Sequence, residues 1–423
     1  MQECSNGMTL DDCELMLLRS AMDTAEEKQK KTSLTPEVRE MVRVVQDFLR
    51  SGEFICYGGT AINNILPREA QFYINKHGAD YDFFSKDSLK NSKRLADSFA
   101  ANGFNHVEVK SSMHVGTFKV IVNSLEIADV TELVPEVFEK LDAECIKLNG
   151  IKYASPDFLR QSMYRELSLP EGQIDRWPKV LKRLSLLNKH YPFKKREQCR
   201  PAAALHLTTA VYDKITDVFI KHGCVFIGAS ANAVFQKQKH KTEFEVLATN
   251  HVKCLEDLKA ACREAGVSFT VKKHPAVGEL LKVHYEVLTN GERAAMVYEP
   301  AACHAYNVVK NNGRNMRVGT FDTLLAFLFA FLYTNRPYHD ANRVACTVEA
   351  LYEFQKKNQF KQHGLLKRFV HECYGKQLTK EDIRVARNKV FNTLRKTPKS
   401  RAYEMLFLKY EPRKTRRVKR SCT

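Results

Sequence analysis

The feature that most constrains this chain is the stretch Phe54-Ile55-Cys56-Tyr57-Gly58-Gly59-Thr60-Ala61-Ile62-Asn63, followed by Ala79-Asp80-Tyr81-Asp82-Phe83-Phe84-Ser85. Apolar residues run into Gly-Gly-Thr and then into a second apolar segment, the pattern of a strand, a tight turn and a helix. The later segment sets two carboxylates at i and i+2, which strand geometry projects onto one face. Hard cations take carboxylate oxygens, and a glycine backbone lets phosphate approach because no Cβ intervenes. The two segments together can therefore hold a triphosphate with its divalent cations. Singly, each is ordinary: a Gly-Gly pair is most often a turn, and Asp-x-Asp most often surface.

The flanking sequence supplies the rest of an α+β domain. A short helix is predicted from Asp11 to Lys31, and a second from Pro36, capped by Thr35, through about Leu49, with Val42, Val45, Phe48 and Leu49 as its apolar stripe. After the carboxylate strand, Asp87 to Ala101 reads as a helix and Phe104 to Lys110 as a strand. Thr117–Val122 and Leu125–Val130 alternate about Asn123-Ser124 as a hairpin. The hairpin brings a third carboxylate, Asp129, to a strand beside the first pair. Glu126 and Glu132 are the other candidates for that role. Parity sets Glu126 on the opposite face from Asp129, and Glu132 lies past the apolar part of the strand. Residues 136–148 and 156–167 are predicted helices. So is 178–189, whose Arg176, Lys179, Lys182 and Arg183 fall at i, i+3, i+6 and i+7, largely one face.

The same order then recurs. Cys224-Val225-Phe226-Ile227-Gly228-Ala229-Ser230-Ala231-Asn232 echoes Phe54 to Asn63, and Thr242-Glu243-Phe244-Glu245-Val246-Leu247 echoes the carboxylate strand. Val277-Gly278 with Leu281-Lys282-Val283 is matched to Val115-Gly116 with Phe118-Lys119-Val120, and Ala295-Met296-Val297 to Ala128-Asp129-Val130. An internal duplication accounts for this order. The second copy has lost the third carboxylate. From about Arg317 the chain turns helical, at 321–333, 339–358, 361–375 and 380–395. The expected division is 1–190, a catalytic domain with N-terminal helices and the basic helix; 191–200, a basic linker; 201–395, a degenerate copy with a helical C-terminal part; and 396–423, a basic tail.

With 67 Lys+Arg against 49 Asp+Glu among 423 residues, the chain carries a formal charge of +18. Such an excess attracts polyanions, nucleic acid first among them. Lys194, Lys195, Arg196, Lys237, Lys239 and Lys241 are the clusters expected to track an RNA backbone. Twelve cysteines occur without any C-x-x-C, which excludes a zinc ribbon and a thioredoxin-type site. They are expected to stay as thiols. The start is neither basic nor apolar, so no signal peptide is expected. The most apolar run, Phe321 to Tyr333, contains Asp322 and is too short to span a bilayer, so no membrane association is expected either.

Gly58-Gly59-Thr60, Asp80-Tyr81-Asp82 and Asp129 resemble the signature of the DNA polymerase beta-like nucleotidyltransferases. Tyr57-Gly58-Gly59-Thr60-Ala61-Ile62-Asn63-Asn64-Ile65-Leu66-Pro67, Asp80-Tyr81-Asp82-Phe83-Phe84-Ser85 and Arg176-Trp177-x-Lys179-Val180-Leu181-Lys182-Arg183-Leu184 resemble more closely the poly(A) polymerase catalytic subunits of nucleocytoplasmic large DNA viruses. The long gap from Gly59 to Asp80 exceeds the spacing usual in the superfamily, and the viral branch has a similar insertion. The resemblance implies two nucleotidyltransferase-like domains, the second degenerate, with helical segments between and after them. It implies template-independent transfer of AMP from ATP to an RNA 3′ end, with two Mg²⁺ or Mn²⁺ ions on Asp80, Asp82 and Asp129. Gly58, Gly59, Thr60, Asn63, Arg165, Lys179, Lys182 and Arg183 are the expected nucleotide contacts, and Tyr153, Tyr164 and Trp177 the candidates to stack adenine. Relatives are homodimers or use a separate processivity partner, and two basic halves favour the homodimer. The expected location is the host cytoplasm, in viral factories, or the virion. A uridylyl- or CCA-adding transferase, and a non-catalytic processivity subunit, are the rival readings.

Overall fold

The computed structural model describes residues 35–73, 80–194, 199, 205–236, 241–358 and 361–412, with positions 13, 14, 16, 17 and 20. Most of the expected helix Asp11–Lys31, half of the linker, Lys195, Arg196, Lys237, Lys239 and the tail beyond residue 412 lie outside them. Among the described residues are thirteen α-helices and two mixed sheets, in two compact units. One comprises Met1–Glu132, Lys147–Tyr153 and Thr393–Thr423; the other comprises Leu133–Ile146 and Ala154–Asn392. The helices Pro156–Leu167 and Trp177–His190, expected in the first domain, thus belong to the second unit.

The first sheet is built from β1 (Ile55–Tyr57), β2 (Tyr81–Ser85), β3 (Val107–Ser111), β4 (Thr117–Val122), β5 (Leu125–Glu132), β6 (Ile146–Leu148) and β7 (Ile151–Tyr153), in the order β3-β4-β5-β2-β1-β7-β6. The helix Pro36–Arg50 packs beneath it by burying Val38, Met41, Val42, Val45, Phe48 and Leu49. Its start is set as expected: Thr35 Oγ1 accepts from the Val38 N–H at 3.3 Å, and Pro36 occupies the first helical position. Asp87 caps the helix Ser88–Ala101 in the same way through the Lys90 N–H. Asn123 and Ser124 both adopt positive φ, 47° and 67°, and close the β4–β5 hairpin.

The second unit repeats this plan. Its strands are β8 (Val225–Phe226), β9 (Phe244–Leu247), β10 (Phe269–His274), β11 (His284–Thr289), β12 (Glu292–Tyr298), β13 (His304–Asn311) and β14 (Arg314–Gly319). Their order, β10-β11-β12-β9-β8-β14-β13, is that of the first sheet strand for strand. Helices Thr209–Lys221, Gly228–Phe235 and His251–Glu264 stand where Pro36–Arg50, Gly58–Ile65 and Ser88–Ala101 stand in the chain order of the first unit. The helix Phe321–Phe331 is buried on every side, as its largely apolar run predicts. Its Asp322, fully buried, is neutralised by the fork of Arg368.

Several expectations fail. The helix expected over 136–148 stops at Glu144, and Ile146–Leu148 is β6, paired with β7 across Asn149-Gly150, whose φ values are 52° and 76°. Residues 361–375 hold a 3₁₀ turn, Gly364–Leu366, and a short strand β15 (Cys373–Tyr374) on β13. The expected tail carries the helix Arg401–Phe407 and a strand β16 (Lys409–Tyr410) that pairs with β3 and covers that sheet edge. Thiols are not kept throughout: Cys199–Cys346 and Cys303–Cys373 are disulfides, closed across 147 and 70 residues, which spacing along the chain does not reveal.

Buried histidines give the second unit a pH dependence. Burial pushes His304 down to about 3, and pushes His284 and His339 below the ordinary histidine value. Each is neutral when folded, so the stability they lend is present above the ordinary value of about 6.5 and is lost as pH falls from there toward the folded values. Thermal unfolding of the second unit should move steadily downward over that acid range, and His304→Asn should flatten the slope. A midpoint level from neutral pH to about pH 5 would contradict this.

Candidate active site

The site of the first unit forms where β1 ends. The chain leaves Tyr57 in extended conformation and enters the helix Gly58–Ile65 at once, with no side-chain cap from Tyr57. Gly58 is required twice over. Its φ is +70°, and a Cβ there would stand 2.2 Å from Asp82 Oδ2. Asp82 lies on β2 opposite Tyr57 on one side and opposite Asp129 of β5 on the other. Asp80 sits immediately before β2, with the Thr60 hydroxyl donating to its carbonyl oxygen at 2.8 Å. Of the three sequence-predicted carboxylates, Asp82 and Asp129 therefore lie in register on adjacent parallel strands, with Asp80 just before the first of them.

Asp80 is exposed and Asp82 and Asp129 are half-buried, yet Asp129 Oδ1 is buried without a hydrogen-bond partner. Loss of hydration, reinforced by neighbouring carboxylates, raises the Asp80 and Asp129 carboxyls above the ordinary range, although Lys119 works in the opposite direction. Lys119 Nζ lies 2.6 Å from Glu126 Oε2 and 3.4 Å from Asp129 Oδ2. Burial works against the lysine charge, but its hydrogen bond to Glu126 and the charges of Asp129 and Glu126 prevail and hold it above its ordinary value.

Glu126 is the residue that parity misassigns. β4 and β5 slip register between Val120 and Ile121, so that Val120 faces Ala128 but Ile121 faces Glu126. The extra residue, Ile127, is a β-bulge, and beyond it the alternation of faces inverts. Glu126 thus joins Asp129 at Lys119.

Other expected contacts take different roles. Asn63 is 1% exposed, and its Oδ1 accepts from the N–H groups of Phe72 and Tyr73 at 2.9 and 2.8 Å, so it fastens the following loop. The Thr60 hydroxyl donates to the Asp80 carbonyl oxygen, so Thr60 positions the backbone of a carboxylate. Tyr153 and Tyr164 are core residues whose hydroxyls meet Asn64 and Tyr352. Trp177 donates Nε1–H to the Glu166 carbonyl and packs on Phe369. Arg165, Lys179, Lys182 and Arg183 belong to helices of the second unit, where Arg176, Lys179 and Arg183 surround Glu166. Arg165 faces Glu279 at 4.0 Å. Lys194 is exposed, while Lys241 turns an ammonium proton to the Leu207 carbonyl at 2.6 Å.

The equivalent position in the second unit is closed. Register sets Met296 against Glu245 as Asp129 is set against Asp82, which carries the sequence alignment at that point. Glu245 turns onto the Ala229 N–H at the start of its helix, and Arg293 forks onto Glu243 at about 3 Å. The match of Val277-Gly278 to Val115-Gly116 does not hold. Glu132 N–H donates to the Gly116 carbonyl and Glu299 N–H to that of Val283, so Val283 is the counterpart of Gly116.

Comparison with known proteins agrees with this geometry. The family model described as poly(A) polymerase catalytic subunit matches residues 43–173. Relatives called "Putative poly(A) polymerase catalytic subunit" occur in African swine fever virus, 28% identical over 171 residues, and in Acanthamoeba polyphaga mimivirus, 31% identical over 163 residues. These alignments cover 39% and 37% of this chain, but only 36% and 27% of the viral proteins. The crystal structure of the Megavirus polyadenylate synthase shares the fold, with a TM-score of 0.76 over 93% of this chain and 86% of that one, at 17% identity. Outside the stretches that these alignments cover, likeness to the poly(A) polymerases rests on fold.

The donor set fits hard divalent cations: three carboxylates, with a buried oxygen of Asp129 left without a partner. Among the described residues, three donor atoms converge within 4.8 Å only at Glu171, Cys303 and Cys373, whose sulfurs are already bonded to each other. The aspartates are in register but not drawn that close.

Proposed function

We propose that the chain is a template-independent polyadenylate polymerase that transfers AMP from ATP to the 3′ end of RNA. The observation that carries this reading is the register of Asp82 with Asp129, next to Asp80 and the Gly58 turn, with Asp129 Oδ1 buried and without a partner. Asp80, Asp82 and Asp129 would hold two Mg²⁺ or Mn²⁺ ions, which neutralise the triphosphate and the departing pyrophosphate. The RNA 3′ oxygen bonds to the α-phosphorus, the bond from that phosphorus to the bridging oxygen breaks, and pyrophosphate leaves with its electron pair. The hydroxyl proton passes to solvent by way of the Asp129 carboxylate. Gly58 leaves room for Asp82, and Thr60 holds the Asp80 backbone in place. The chain's excess positive charge serves RNA binding in a salt-sensitive way.

The second unit is non-catalytic in this reading, because Met296 offers no carboxylate and Arg293 already neutralises Glu243. A viral origin with activity in the host cytoplasm or the virion belongs to the same proposal, as does a homodimer. The test is incubation with a short RNA, Mg²⁺ or Mn²⁺, and each nucleoside triphosphate in turn. Extension with ATP, abolished in Asp129→Asn, is the expected result. Extension with UTP or CTP instead would favour another terminal transferase, and no extension with any nucleotide would defeat the reading.

A further inference from the structure

The β-bulge at Ile127 has an exact counterpart. In the second unit β11 and β12 slip between Val287 and Leu288, so that Ala294 is the extra residue and Arg293 takes the position of Glu126. Register further equates Glu286 with Lys119 and Met296 with Asp129. In both units the bulge delivers a charged side chain to the carboxylate site. In the second unit that side chain is a cation, and it forks onto Glu243, which precedes its strand as Asp80 precedes β2. A protein cation stands there permanently where the first unit keeps carboxylates. In the first unit the signs are exchanged: the bulge residue is Glu126, and the cation is Lys119, between Glu126 and Asp129.

We infer that Lys119 and Glu126 are a positioning pair for the cation site of the first unit: Lys119 stands in for a divalent ion on Asp129 when none is bound, and Glu126 holds the lysine when one arrives. The inference rests on the proposed two-cation site. Lys119 Nζ is the nearer to Glu126, 2.6 against 3.4 Å, so the ammonium has a second anchor and need not enter solvent as Asp129 is taken over. A partner of opposite charge already at the site keeps three carboxylates folded together in the absence of metal. It also sets a threshold: metal must compete with an ammonium ion for Asp129.

The readout is Mn²⁺ binding to the full chain without nucleotide, followed by electron paramagnetic resonance at one mildly alkaline pH, for Lys119→Met, Glu126→Gln and the double variant. Circular dichroism and the melting temperature of each variant establish that it folds. Lys119→Met should tighten Mn²⁺ by at least about tenfold, the Coulomb effect of removing one charge about 6 Å from a divalent ion even with the full screening of water. Glu126→Gln alone should weaken it by a similar factor, because the lysine then has only Asp129 to hold. The decisive term is the double variant. If Glu126 acts through Lys119, Glu126→Gln weakens Mn²⁺ much less once Lys119 is Met, leaving only the loss of one nearby negative charge, and the cycle shows strong coupling. Equal weakening in both backgrounds would show that Glu126 acts on the ion without Lys119 and overturn the inference, as would Lys119→Met weakening Mn²⁺. Absence of saturable Mn²⁺ binding by the unaltered chain would overturn the two-cation reading itself, and this inference with it.

Discussion

Asp82→Ala is expected to lower AMP transfer by about a thousandfold or more while the first unit stays folded. The position explains the size of the effect. Asp82 is the carboxylate flanked on both sides by the site, with Tyr57 of β1 in register on one side and Asp129 of β5 on the other. Removing it takes away the donor that links Asp80 to Asp129, and no neighbouring carboxylate of β2 can replace it, since Phe83 and Phe84 follow in the core. The fold has no comparable need for the charge. Burial raises the Asp80 and Asp129 carboxyls, so the metal-free chain carries acids that the folded state holds unwillingly ionised. The sign follows directly: stability from these groups is present below the ordinary carboxylate range and is lost as pH rises through their raised values. Thinning the cluster therefore costs little in melting temperature. Bound cation restores what ionisation removes. Mn²⁺ at about a hundredfold over its dissociation constant should stabilise the unaltered protein by about 2.7 kcal/mol, and Asp82→Ala should show little of that shift. Retained activity in Asp82→Ala, or an undiminished Mn²⁺ shift, would remove the site from β2.

Much of this site is legible in the sequence because its parts are local. The strand Ile55–Tyr57, the helix start at Gly58 and the carboxylates of β2 lie close along the chain, and period-two patterning fixes which face they share. Asp129 is reachable because its hairpin turn, Asn123-Ser124, is announced by two alternating apolar runs. The rest fails for identifiable reasons. Parity assumes an uninterrupted ladder, and one extra residue at Ile127 inverts it, bringing Glu126 to Lys119. No pattern in the sequence marks that bulge.

The short strands β6 and β7 did carry a signal. Asn149-Gly150, like Asn290-Gly291 and Asn312-Gly313, closes a two-residue hairpin with both residues at positive φ. An apolar periodicity running from Pro135 into Leu148 suggests one longer helix and outweighs the dipeptide. The disulfides and the pairing of β16 with β3 are contacts across long stretches of chain, to which local propensity is blind.

Gly58→Ala separates backbone strain from damage to the site. At φ +70° an L residue costs about 1–2 kcal/mol, and this alone would lower stability. The new Cβ would also stand 2.2 Å from Asp82 Oδ2, so the carboxylate, the helix start, or both must move. A displacement of about 1 Å among catalytic groups is enough to lower a rate about a hundredfold. Gly103→Ala is the matched control: its φ is +93°, and nothing lies within 4 Å of the added carbon. Both variants should lose stability, while only Gly58→Ala should lose Mn²⁺ binding and AMP transfer. Gly228→Ala sharpens the comparison, since its Cβ would meet Glu245 Oε2 at 2.0 Å in the site that lacks the third carboxylate. It should destabilise the second unit and leave Mn²⁺ affinity unchanged. If Gly58→Ala and Gly103→Ala prove equally active, the close approach of Gly58 to Asp82 has no part in catalysis, and the turn serves the fold alone.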